Sequence, residues 1–251
     1  MKIGSVPYLN VRPLIYGIEE QVTQLEPARL ADGMYRRQFE VGMVPVAEVL
    51  WHDQYDVVDG IAIAARGEVR SVFLTHRVPV AQVRRVAITP ASRTSVWLLR
   101  VLLKVQHGIE PEFYPQPPGA TLADHEAILL IGDEAIRYGT RAGALPVWDL
   151  GAAWVAATGL PFVFAVWAVQ RGLDVTKLAP MLRRAKADGL AHIEDIVRNS
   201  TEATPEFRRE YLTRYVCYEL GAQEKAGIRR FQELCGELKL VDRAGELRYV
   251  S

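Results

Sequence analysis

Apolar positions along this chain alternate in some stretches and recur every three to four residues in others, and the two spacings take turns. Residues 1–6 predict a strand, and Pro13 suits the first turn of a short helix, "PLIYGIEE". "EPARLADGMYRRQF" has a helical pattern; strand-like "VGMV" follows, then a second Pro-started helix, "PVAEVLWHD". Two strand-like runs sit around the turn signal at 66–68 in "DVVDGIAIAARGEVRSVFLTHRVP". "RRVAITPASRTSVWLLRVLLKV" reads as strand, loop and amphipathic helix, and "EFY" and "AILLIGDEAIRYG" supply further strand and helix. "VWDLGAAWVAATGLPFVFAVWAV" ends in a buried-looking strand, and residues 174–238 are helical, with breaks near 199–204 and at Gly221.

Strands alternating with helices imply an α/β protein with mostly parallel pairing. Residues 80–165 resemble a complete small α/β unit, which leaves the chain before and after it to share another. The expected organisation is therefore one discontinuous lobe, 1–78 plus 167–251, and a second lobe, 79–166. A ligand cleft is expected between them, with hinges in the strands near 75–80 and 164–168. No internal repeat or low-complexity linker interrupts this pattern.

Composition narrows the function classes. The 251 residues are 49% hydrophobic and 24% charged, enough for a sizeable core and unlike a disordered chain. Lys+Arg and Asp+Glu are both 30, so no basic excess invites nucleic acid or an anionic membrane. Cys217 and Cys235 are too few for a disulfide framework and neighbour no metal-ligand pattern, which reads as reduced, structural thiols. The longest apolar run, "GLPFVFAVWAV", is about half the roughly 20 residues of a spanning helix. "MKIGSVPYLN" lacks the apolar stretch of a signal peptide, so a cytoplasmic location is expected.

The sharpest candidate for chemistry is "TPASRTSVWLL", where Ser92, Arg93, Thr94 and Ser95 precede an apolar helix. One Ser or Thr there is an ordinary cap; three hydroxyls and an arginine exceed that need. With the free N–H groups and the helix dipole they form an anion site, a carboxylate site rather than a nucleotide site because no glycine-rich phosphate loop is present. Each dipole interaction contributes only about 0.3–1 kcal/mol, so several must converge. In "SVPYLNVRPL", Tyr8, Asn10 and Arg12 stand at a strand end. Asn10 reads equally as a turn residue or as a grip on a substrate hydroxyl or carboxylate. Arg12 reads as a surface or structural arginine and Tyr8 as packed. Ser71 reads as a strand-edge serine unless it faces the same cleft. Asp133 and Asp149 read first as N-cap aspartates, and Glu48 faces either solvent or the cleft. The five histidines form no metal pair and no Ser-His-Asp or Cys-His arrangement. No cofactor or metal is expected, and a reaction here is one that binding and polarisation can drive.

"SVPYLN-x-RPL", "VGMVPVAE", "G-x-VRSVFL", "SRTSVWLLRVLL", "LLIGDEAI" and "WDLGAAWVAATGLPFVFAVWA" together resemble the chorismate dehydratases of the futalosine route to menaquinone, in that family's order across residues 3–168. The resemblance implies a two-lobed α/β fold like the type 2 periplasmic binding proteins, with a helical C-terminal segment. It implies chorismate as the small-molecule substrate and dehydration to 3-[(1-carboxyvinyl)oxy]benzoate as the reaction. By the family's pattern Asn10 and Ser71 are the catalytic candidates, and Tyr8, Ser92, Arg93, Thr94, Ser95 and Asp133 the substrate-binding ones. Neither nucleic acid nor membrane is an expected partner, and a monomer or homodimer is expected. A sister enzyme, 1,4-dihydroxy-6-naphthoate synthase, is similar in the "DLG…TGLP" region; where it carries an "IHEG"-type histidine, this chain has "IGDE". A non-catalytic carboxylate-binding protein stays open as an alternative, since fold does not fix function. The effector half of a transcription regulator is a further class, and no DNA-binding segment is visible for it.

Overall fold

The computed structural model describes residues 1–89, 93–116, 124–241 and 245–251. The chain lays down β1 (Ile3–Ser5), β2 (Val22–Gln24), β3 (Val41–Pro45) and β4 (Tyr55–Ala65), then crosses to a second sheet. There it forms β5 (Val72–His76), β6 (Arg85–Ile88), β7 (Glu112–Pro115), β8 (Ala127–Ile131) and β9 (Val147–Asp149). It returns with β10 (Phe162–Gln170) and later adds β11 (Tyr249–Val250). The first sheet has the order β11-β4-β10-β3-β1-β2 and the second β7-β6-β8-β5-β9. The protein is thus α/β with two sheets.

Two expectations need correction. Pairing is mixed: β10 runs antiparallel to β3 and β4, and β5 antiparallel to β8 and β9. The strand that follows each crossing is the one that runs against its neighbours. The crossings also fall earlier than expected, between Ala65 and Val72 and between Thr158 and Phe162. The anticipated junction at 78/79 lies beyond β5, and the one at 166/167 cuts the middle of β10. An apolar run reads the same in either sheet, because its cross-strand partners leave no mark on local periodicity.

Other elements follow from their residues. Helices α1 (Pro27–Tyr35) and α2 (Val46–Trp51) flank β3, and Pro27 occupies the first turn of α1, where its missing N–H costs nothing. Pro13 instead lies inside a short 3-10 helix, Leu9–Leu14, and Gly17 at φ 75° ends any continuation as the α-helix expected there. In the second half, α3 (Thr94–His107), α4 (Gly132–Gly139) and α5 (Leu150–Thr158) cover the second sheet. The helical tail comprises α6 (Leu178–Ala191), α7 (Ile193–Arg198), α8 (Pro205–Glu210), a π-turn at Tyr211–Tyr215 and α9 (Ala222–Glu237). Its breaks are near the positions the sequence marks.

One continuous apolar core runs through both sheets. At the second crossing Trp154 of α5, Phe162 of β10 and Phe231 of α9 meet edge to face, with centroids 5.1–6.0 Å apart. All three are fully buried, and the Trp154 indole donates to the Pro161 carbonyl at 3.2 Å. Such a cluster stabilises beyond its buried area and joins the halves where the chain passes between them.

Candidate active site

Between the sheets lies an open cavity, with about 630 Å³ of empty space when the solvent at its mouth is included. Met43, Ile63 and Phe164 from the first sheet give it apolar walls. Its polar lining consists of Tyr8, Asn10, Ser71, Arg93, Thr94 and Ser95. The strand-end segment, the first crossing and the tip of α3, distant in sequence, therefore meet in one space. Among the described lining residues only Tyr8 and Arg93 carry ionisable side chains, and none of the five histidines belongs to the wall.

The position of Ser71 is tightly determined. Asp149 caps α5 by accepting from the Ala152 N–H at 3.0 Å, as expected of an N-cap aspartate. The same carboxylate also accepts from Val69 N at 3.1 Å and from Arg70 N at 2.8 Å. Arg70 takes a left-handed φ of 62°, uncommon for a residue with a Cβ, and turns the chain into β5. The Ser71 carbonyl accepts from Gly132 N at 2.8 Å, and its hydroxyl accepts from the Tyr211 hydroxyl at 2.8 Å. Burial, the first cause, raises the Tyr211 pKa above the ordinary phenol value, so the group remains a protonated donor.

Asn10 sits in the 3-10 turn with its amide oxygen buried and, among the described residues, without a hydrogen-bond partner. A buried orphan acceptor costs about 1–3 kcal/mol unless a ligand donor satisfies it. Tyr8 precedes the turn in an extended conformation, and its ring packs over Gly132. Gly132 has φ 60°, and a Cβ there would stand 3.0 Å from the ring, so the close approach needs glycine. Burial first, then Glu26, Asp133 and Glu134, raise the Tyr8 pKa, which holds this phenol neutral as well.

The tip of α3 differs from a free anion site. The Arg93 guanidinium pairs with Glu48 at 2.5 Å and with Asp32 at 2.7 Å, both on the first-sheet side, so its charge is already met. The Thr94 hydroxyl oxygen accepts from Ala47 N at 3.1 Å and thereby caps α2 across the cleft. Its own proton, the Ser95 hydroxyl and the helix N–H groups are the donors that a carboxylate would find there. Ser92 lies outside the described residues.

Asp133 is not on the cavity wall. It lines the adjoining groove and accepts from Leu9 N at 3.1 Å, so it fastens the 3-10 turn of the other half and does not cap its own helix. Burial, its largest influence, raises its pKa. Arg12 is structural: it pairs with Glu202 at 3.0 Å and bonds Ser200, pinning the break between α7 and α8. Glu48 serves Arg93. Tyr211 is the neighbour sequence reasoning missed; "YLTRY" reads as one more turn of amphipathic helix, with nothing to mark a hydroxyl aimed at a serine 140 positions away.

Residues 1–237 match the menaquinone-biosynthesis family. The chain belongs to that family. It is 31% identical over 258 residues to a chorismate dehydratase from Thermus thermophilus, covering 93% of this chain and 94% of the relative. A 1,4-dihydroxy-6-naphtoate synthase from the same organism matches this menaquinone-biosynthesis family member less well, at 26% over 191 residues, 72% of this chain and 70% of its own length. The two-lobed architecture recurs in the periplasmic aliphatic sulphonate binding protein SsuA from Escherichia coli, with a TM-score of 0.63 at 13% identity, across 100% of this chain and 93% of that one. The likeness to SsuA is one of fold: this family member is built like the periplasmic binding proteins. No helix among the described residues is long and apolar enough to cross a membrane.

Proposed function

We propose that this protein is a chorismate dehydratase, a hydro-lyase that removes water from chorismate to give 3-[(1-carboxyvinyl)oxy]benzoate on the futalosine route to menaquinone. The observation that carries the reading is the likeness to a chorismate dehydratase over 93% of the chain. The cavity suits the substrate: apolar walls for a six-membered ring, hydroxyl donors for carboxylates, and an unsatisfied amide oxygen for a ring hydroxyl. The working location is the cytoplasm, and the assembly a monomer or homodimer.

In the proposed mechanism the C3 proton leaves, and its electron pair delocalises through the ring into the ring carboxylate. The C4 hydroxyl then departs with that proton as water, and the ring becomes aromatic, which drives the reaction. The hydroxyls of Ser71, Thr94 and Ser95 are the candidate donors to the developing negative charge; loss of one such donor costs about 2.7–4 kcal/mol of transition-state stabilisation. Asn10 holds the departing hydroxyl. The substrate's own enolpyruvyl carboxylate is the base that takes the C3 proton. The described lining supplies a phenol, an amide, hydroxyls and a paired arginine for these roles. Closure of the halves fixes this geometry and expels water.

The test is incubation of the purified protein with chorismate and no added cofactor. Appearance of the aromatic product supports the reading. Unchanged chorismate bound tightly would favour a binding protein instead. The sister synthase activity has less support, because its match is partial.

A further inference from the structure

Ser71 has its backbone fixed twice over, by Asp149 through the preceding turn and by Gly132 through its carbonyl. The rotation of its hydroxyl is the freedom left. A serine hydroxyl has one proton and two lone pairs, so a donor that occupies a lone pair determines where the proton can point. We propose that Tyr211 is a positioning residue for Ser71, donating to its Oγ at 2.8 Å and so turning the serine proton toward the cavity. This deepens, and rests on, the dehydratase reading.

Five features support the assignment. Tyr211 is 1% exposed and does not line the cavity, so it acts through the serine rather than on substrate. Its ring is held by Phe207, stacked at 6.0 Å with planes 10° apart. It opens the π-turn Tyr211–Tyr215, a local widening of the helix of the kind that often serves a functional side chain. The Asn10 amide lies beside the same hydroxyl, so the phenol adjoins both catalytic candidates. Burial also keeps it protonated, which leaves the serine no choice of partner role with pH.

The experiment compares Tyr211→Phe, Ser71→Ala and the double variant with the parent, each checked for cooperative unfolding. The phenylalanine keeps the ring and removes only the donor. Expected is a kcat about two- to tenfold lower, with KM for chorismate changed by less than about twofold, and a double variant no slower than Ser71→Ala alone. Unaltered kcat in Tyr211→Phe, or losses that multiply in the double variant, would overturn the inference. A second readout needs neither turnover nor a folded Tyr211→Phe variant. The buried Tyr211 hydroxyl proton, assigned by NMR through its ring protons, should shift in Ser71→Ala, and a resonance that stays in place sinks the proposal. A parent protein that leaves chorismate intact would remove the dehydratase reading while this resonance still decides the hydrogen bond.

Discussion

Arg93, at the tip of α3, and Glu48, buried on α2, meet across the rim of the cavity at 2.5 Å. The same guanidinium reaches Asp32 on α1 at 2.7 Å. One arginine of the second half is therefore held by two acids of the first. Asp32 is largely exposed and contributes little through solvent screening, whereas Glu48 is 4% exposed and depends on its partner. Arg93→Ala should cost about 1–3 kcal/mol of stability, mostly from an uncompensated Glu48 carboxylate. Chemical denaturation measures this, and adding Glu48→Gln should recover most of the loss. Calorimetric titration with chorismate should show weaker binding in the single variant, because the joined arrangement of the halves has lost its fastener.

Asn10→Ala and Ser71→Ala each remove a candidate catalytic group from the cavity wall. Each should lower kcat about 10²–10³-fold; the unfolding midpoint should change little in Asn10→Ala and fall modestly in Ser71→Ala, which leaves the buried Tyr211 hydroxyl without its acceptor. Steady-state kinetics beside a thermal melt test this; near-parental turnover in both variants would take them out of the mechanism.

Gly132→Ala should disturb two things together. The residue has φ 60°, and the added methyl meets the Tyr8 ring at 3.0 Å. A loss of about 1–2 kcal/mol is expected from the backbone alone, with a raised KM as Tyr8 is displaced from the cavity. Urea denaturation and kinetics on the same preparation would separate the two effects, and an unchanged KM would mean that Tyr8 does not set substrate fit.

Burial raises the carboxyl pKa of both Asp133 and Asp149, against the opposing pull of the backbone N–H groups they accept from. The folded chain thus binds these protons more tightly than the unfolded chain, whose aspartates titrate near about 3.9. Their contribution to stability is full below that value and declines as pH rises through the folded-state pKa. Asp133→Asn keeps an oxygen for Leu9 N and cannot ionise. Its unfolding free energy relative to the parent should therefore grow as pH rises above about 4, as a denaturation series across pH would show. A constant difference would mean that Asp133 ionises alike in both states.

Much of this arrangement is legible in local sequence because local chemistry causes it. The apolar runs of "DVVDGIAIA" and "SVFLT" become β4 and β5, and "TSVWLLRVLL" becomes α3. Asp149 caps α5 as its place before "LGAAW" implies. What local pattern does not carry is partnership. Nothing in the string assigns β4 and β5 to different sheets, or tells that Arg93 would be neutralised by Glu48 and Asp32, 45 and 61 positions away. Asp133 shows the same limit: an acid at a strand-to-helix junction looks like a cap, yet its acceptor serves Leu9, 124 positions back. The short strands β2, β9 and β11 have only two or three residues each, too few for alternation to register.

The bond pattern of Asp149 has a consequence for how this chain can vary in length. One carboxylate sets the start of α5 and, about 80 positions earlier, the bend that delivers Ser71. Inserting or deleting a single residue between 66 and 71, or just ahead of α5, would put those two segments out of step. Loop-length variants should thus be tolerated at the β7 edge of the second sheet and rejected at this joint, whatever residues are inserted.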